Sequence, residues 1–133
     1  MAIALDPNQK IPFVLKRDRN LPKEEQTTFY SRVITVRRLQ ELTDKYTRRS
    51  EKKNEWKFAV EELISLINEF LAGWENFKLP DGTQAEFKMD PGMNGTRKIA
   101  EESWRHIDSF EYMGELFDGF MEANHLGEAR IKN

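Results

Sequence analysis

The 133-residue chain is 38% hydrophobic, 33% charged and 11% aromatic, a size and balance that suit one soluble domain over residues 1–133. No run approaches the roughly 18 apolar residues of a membrane-spanning helix. The opening Met1-Ala-Ile-Ala-Leu5 has no basic start and is cut off by Asp6-Pro7, so a secretory leader is not expected and the cytoplasm is. The absence of cysteine excludes disulfides, iron–sulfur clusters, thiolate zinc sites and cysteine nucleophiles. The net charge of −2 conceals 14 Lys and Arg against 8 Asp and Glu in residues 1–57, and 7 against 15 in residues 58–133. Pairing between the two halves is the simplest use of such a dipole; head-to-tail ordering of copies, hence a homo-oligomer, is another.

In chain order, Ile11, Phe13 and Leu15 alternate with their neighbours, and Thr28-Phe-Tyr-Ser-Arg-Val-Ile34 is β-branched and aromatic, which predicts two strands paired as a hairpin. Between them, Pro22 followed by Glu24 and Glu25 suits the first turn of a short helix. Val36, Leu39, Leu42 and Tyr46 fall at helical steps behind Thr35 as N-cap, and the polar stretch Thr47 to Asn54 interrupts the stripe. Trp56, Val60, Leu63, Ile64, Ile67, Phe70, Leu71 and Trp74 then form the densest amphipathic pattern, expected to be a long central helix ending at Gly73. Phe77 to Phe87 reads as a small hairpin around Pro80-Asp-Gly-Thr83, and Asp90 to Gly95 as a loop. Ile99, Ala100, Trp104 and Ile107 outline one more helix, and Asp108 with Glu111 a capping box that starts the last. The expected architecture is α+β: an N-terminal β-hairpin, a long central helix, a second small hairpin and a C-terminal helical pair.

Catalytic and cofactor motifs are weak. Only His106 and His125 could serve a nucleophilic triad, and there is no Gly-x-Ser-x-Gly elbow. Glu122-Ala-Asn-His125 has the Glu-x-x-His spacing of di-iron bundles without the second copy such sites need, so a solvated pair is the expectation, as it is for Glu102 and His106. Gly92 to Lys98 enters a helix without phosphate-loop spacing. No cofactor or metal is expected. The basic residues Lys45, Arg48, Arg49, Lys52, Lys53 and Lys57 form a candidate nucleic-acid face, but Asp44, Glu51 and Glu55 are interspersed, which favours a solvated face. The last helix carries Phe110, Met113, Leu116, Phe117, Phe120 and Met121. These either close the core or line a groove for a partner helix, with Phe110, Met113, Phe117, Phe120 and Met121 as the candidate binding residues. Gly114 and Gly119 within that helix each cost about 1 kcal/mol relative to alanine.

Lys10-Ile-Pro-Phe-Val-Leu-Lys-Arg-Asp-Arg19, Leu21-Pro-Lys-Glu-Glu-Gln-Thr27, Gly73-Trp-Glu-Asn-Phe77 with Asp81-Gly82, and the terminal Leu126 with Lys132-Asn133, taken in this order, resemble small phage and prophage tail assembly chaperones. The resemblance spans nearly the whole chain. It implies a non-enzymatic protein that binds the long, apolar, helical tape measure protein before tail assembly and leaves the finished particle, and it supplies no catalytic residues. The Arg97 to Ile107 segment and the glycine-interrupted last helix depart from that group. Two other readings are a small phage protein that binds nucleic acid, or a host nucleic-acid complex, through the basic face, and a minor structural subunit of the virion.

Overall fold

The computed structural model describes residues 1–50, 55–91 and 98–125, with side chains described outside 46–50 and 55–58. The fold is α+β: strands β1 (Lys10–Phe13) and β2 (Thr28–Arg32), helices α1 (Val36–Ser50) and α2 (Glu55–Phe70), strands β3 (Leu71–Glu75), β4 (Met89–Asp90) and β5 (Lys98–Ile99), the single turn α3 (Glu101–Trp104), and α4 (Phe110–Ala123). The hairpin expected at the N-terminus is present, with Phe13 opposite Phe29, and a 3-10 turn over Lys23–Glu25 follows Pro22. Thr35 caps α1 as its position predicts, its hydroxyl accepting from the Arg38 amide at 3.2 Å. Val36, placed on the apolar stripe by spacing, is instead 77% exposed, and Leu39 and Leu42 carry the helix onto the core.

The main departure lies at the end of α2. The apolar spacing that runs on to Trp74 is continuous in sequence, yet the helix stops at Phe70 and residues Leu71–Glu75 join β2 as a third antiparallel strand, giving the order β1-β2-β3. Ser31 lies opposite Leu71 and Tyr30 opposite Gly73, so Ala72 is an extra residue in β3. That bulge turns Leu71 and Trp74 to the same buried face, although residues three apart in a regular strand point to opposite faces. A bulged strand thus imitates helical periodicity. Gly73, expected as a helix C-cap, follows the extra residue of the bulge at φ +155, a conformation that other residues rarely adopt.

The inner face of the sheet holds an aromatic cluster. Phe29, fully buried, lies 5.9 Å from Phe13, 6.2 Å from Trp74 and 5.3 Å from Phe77, and Trp74 meets Phe87 edge-on at 4.9 Å. The Trp74 indole N–H donates to the Ala85 carbonyl at 2.8 Å, so burying this ring leaves no polar atom unpaired. The second hairpin is reduced to one bridge, Lys78 to Gln84, held by backbone bonds from Leu79 to Thr83 and from Ala85 to Phe77. The loop expected over Asp90 to Gly95 begins inside β4, and residues 92–97 lie outside the described residues. The helix outlined by Ile99 to Ile107 is shorter than its pattern: Ile99 belongs to β5, and α3 is one turn. Ser109, one residue beyond the predicted Asp108, caps α4 by accepting from the Tyr112 amide at 3.1 Å.

Part of the charge asymmetry is compensated within the chain. Arg17 bridges to Glu111 at 2.9 Å and Glu115 at 2.6 Å and lies 4.3 Å over the Tyr112 ring; Arg19 pairs with Glu122; Arg38 forms a two-pronged bridge to Glu69. Each of these contacts joins the basic N-terminal half to the acidic C-terminal half. Hydrogen bonding to their carboxylate partners raises the pKa of Arg17 and Arg38 further above the guanidinium value.

Candidate functional site

Helix α4 is built with two apolar stripes. Met113, Leu116 and Phe120, at i, i+3 and i+7, face inward; Leu116 and Phe120 are fully buried, and the Phe120 ring meets Phe13 edge-on at 5.6 Å. This corrects the assignment of Phe120 to a binding surface: it is core, because the face that carries it packs against α2 and β1, while Met113 is buried on that face and also lines the edge of a cleft. The second stripe, Phe110, Gly114, Phe117 and Met121, runs alongside. Phe110 is 78% exposed, Gly114 is exposed, and Phe117 and Met121 are half-buried.

Where this outer stripe meets α2, the surface opens into a cleft of about 370 Å³ between Ala59, Glu62, Leu63 and Leu66 on α2 and Gly114, Phe117 and Asp118 on α4. A second cleft of about 160 Å³ continues past Leu63, between Val60 and Ile64 of α2 and Phe110 and Met113 at the start of α4. The two share Leu63 and form one apolar seam. From Phe110 to Asp118 it follows nine residues of α4, a rise of about 12 Å or a little over two helical turns.

Gly114 shapes this seam. A Cβ at that position meets no atom within 4 Å, so the missing side chain is a gap open to the cleft. Gly119 has the opposite role: a Cβ there would lie under 3.0 Å from the Phe13 ring, so this glycine permits β1 to approach α4. The two mid-helix glycines, legible in the sequence only as a cost, divide between surface and core.

No carboxylate of the seam has a cationic partner within 4.0 Å among the described residues. The other α4 carboxylates, Glu111, Glu115 and Glu122, are held by Arg17 and Arg19, which leaves Asp118 and, across the cleft, Glu62. Burial beside the apolar walls pushes the Glu62 carboxyl above the ordinary glutamate range.

The other candidates do not assemble. Glu122 is engaged by Arg19, and His125 lies beyond the end of α4 at φ 56, so the Glu-x-x-His pair does not share a helix face. Glu102 lies 4.0 Å from the Lys88 ammonium while His106 meets the Trp74 ring edge-on at 6.4 Å, so these two do not pair either. Among the described residues no group of three or more His, Asp and Glu side chains is placed to hold a metal ion. Of the basic face, Lys45 is exposed, and the side chains of Arg48, Arg49, Lys52, Lys53 and Lys57 lie outside the described set. No described helix is long and apolar enough to cross a membrane.

Segments that carry the tail-chaperone resemblance meet in one place. The Asn76 side-chain amide donates to the carbonyls of Glu24 at 3.0 Å and Gln26 at 3.1 Å, the Thr27 hydroxyl donates to the Asn76 carbonyl at 2.9 Å, and the Thr27 amide donates to the Asp18 carboxylate at 2.9 Å. Asn76 adopts φ 57, a left-handed conformation that asparagine tolerates better than most residues. These motifs therefore do structural work, holding the β1–β2 connection against the end of β3. Comparison with known proteins finds no matching family model, no matching curated protein and no matching solved structure.

Proposed function

We propose that this protein is a non-enzymatic carrier that docks an apolar helical segment of another protein into the α2–α4 seam, and that in a phage or prophage setting this partner is the tail tape measure protein, bound in the host cytoplasm before tail assembly. The observation that carries the reading is the seam itself. It is an apolar trough two helical turns long, flanked by the exposed Phe110 and by Ile64, and its gap at Gly114 can admit a partner side chain. A large exposed phenylalanine beside an unfilled apolar cleft is the surface expected of helix-in-groove recognition. The partner's identity is supported by the resemblance of the motifs, which implies a tail assembly chaperone. A long helical partner would take several carriers, each covering a few turns.

Co-expression with a tape measure fragment tests this. The complex should be soluble and co-purify, and Phe117→Asp should abolish it while circular dichroism shows the carrier still folded. A complex that survives Phe117→Asp and is lost when Lys45, Arg48 and Arg49 become glutamate would overturn the reading.

A further inference from the structure

We propose, resting on the docking reading above, that the seam selects its helix by charge, taking one whose apolar stripe is flanked by Lys or Arg placed to meet Glu62 and Asp118. The two carboxylates stand on opposite walls of the larger cleft, one from each helix, and among the described residues no Lys, Arg or His lines either cleft. Asp108 extends the same sign into the smaller cleft. Lys16 and Arg19 share with Asp118 a separate small depression of about 10 Å³, and the Arg19 guanidinium is already held by Glu122. A docked apolar helix would strip water from Glu62 and Asp118, so a cation at its flank offsets a desolvation cost that a neutral or acidic flank leaves in place. Glu62 is half-buried even without a partner, and that burial raises its pKa.

Three synthetic helical peptides of about four turns test it, identical in a leucine stripe at i, i+3, i+4 and i+7 and flanked by Lys, Gln or Glu. Their affinity for the full chain is read by fluorescence anisotropy. The Lys-flanked peptide should bind about tenfold more tightly than the Glu-flanked one at low ionic strength. The difference should collapse at about 0.5 M salt and in the double variant Glu62→Gln, Asp118→Asn, which should still bind the Gln-flanked peptide. Equal affinities for all three would overturn charge selection and leave the docking reading standing. Failure of every peptide to bind would overturn the docking reading as well. A preference that survives the double variant would place its source elsewhere and overturn the assignment to these residues. A chain that sediments as a dimer and dissociates on adding any of the three would make a second copy the occupant, which also overturns it.

Discussion

Replacing Gly119 by alanine should destabilise the protein even though alanine is the better helix former. The propensity gain is about 1 kcal/mol. Against it stands the Phe13 ring, two atoms of which the new Cβ would approach to less than 3.0 Å, where ordinary carbon contacts begin at about 3.5 Å. The ring has little room to retreat, since Phe29 stacks on it at 5.9 Å and Phe120 meets it edge-on at 5.6 Å. Overpacking of this kind costs about 1–3 kcal/mol, and more where the neighbours cannot move. The expected net loss is about 1–2 kcal/mol, a fall in Tm of roughly 3–8 °C for a chain of this length. Gly114→Ala in the same helix should go the other way, by about 0.5–1 kcal/mol, because its Cβ enters open space. Urea denaturation followed by circular dichroism measures both, with a shifted midpoint at constant slope. Placing Gly119→Ala in a Phe13→Leu background should recover at least about 1 kcal/mol of the loss. A Gly119→Ala protein as stable as the parent, or more so, would refute the reasoning.

Other changes separate core from surface. Phe120→Ala should cost about 3–5 kcal/mol, whereas Phe110→Ala should stay within about 0.5 kcal/mol of the parent while weakening peptide binding. Asn76→Ala should cost about 1–3 kcal/mol, since two carbonyls lose their donor and alanine resists the left-handed backbone, and protection from hydrogen exchange should fall first around Gln26 and Thr27. Glu62 has a carboxyl raised by burial, so the folded chain holds that proton more tightly than the unfolded one. The stabilisation linked to this group is fully present below the unfolded value of about 4.5 and is lost as pH rises through the raised folded value. Glu62→Gln should therefore flatten that part of a stability–pH curve and raise stability at neutral pH.

Much of the framework was legible in the sequence because it depends on local signals. The β1–β2 hairpin follows from alternation and β-branching, the α1 start from Thr35, and α4 from its apolar spacing, with Ser109 displacing Asp108 as cap by one residue. What was not legible depends on partners distant in the chain. Leu71 and Trp74 continue a helical pattern and turn out to be strand because Ser31 and Phe29 pair with them through a bulge. Ile99 fits a helix and lies in β5, where its amide is taken by the Asn68 side chain at 2.9 Å. The candidate site was half visible. The α4 stripe drew attention to a helix that borders the seam, but one-dimensional spacing did not separate the buried Leu116 and Phe120 from Phe110 and Phe117, nor show that Met113 is buried and yet lines the smaller cleft. The α2 wall, with Ala59, Glu62 and Leu66, carried no signal apart from its membership of an amphipathic helix. Gly114 was noticed only as a weakness in α4; that a Cβ there would meet open space at the edge of a cleft is visible only in three dimensions.

Amide chemical-shift mapping of the full chain, titrated with an apolar helical peptide from a tape measure protein, bears most directly on the role of the α2–α4 seam. The account predicts saturable changes confined to Ala59, Glu62 and Leu63 on α2 and to Phe110, Gly114, Phe117 and Asp118 on α4, with the β1-β2-β3 sheet unmoved. Changes centred on the sheet or on Lys45, with the seam silent, would contradict it.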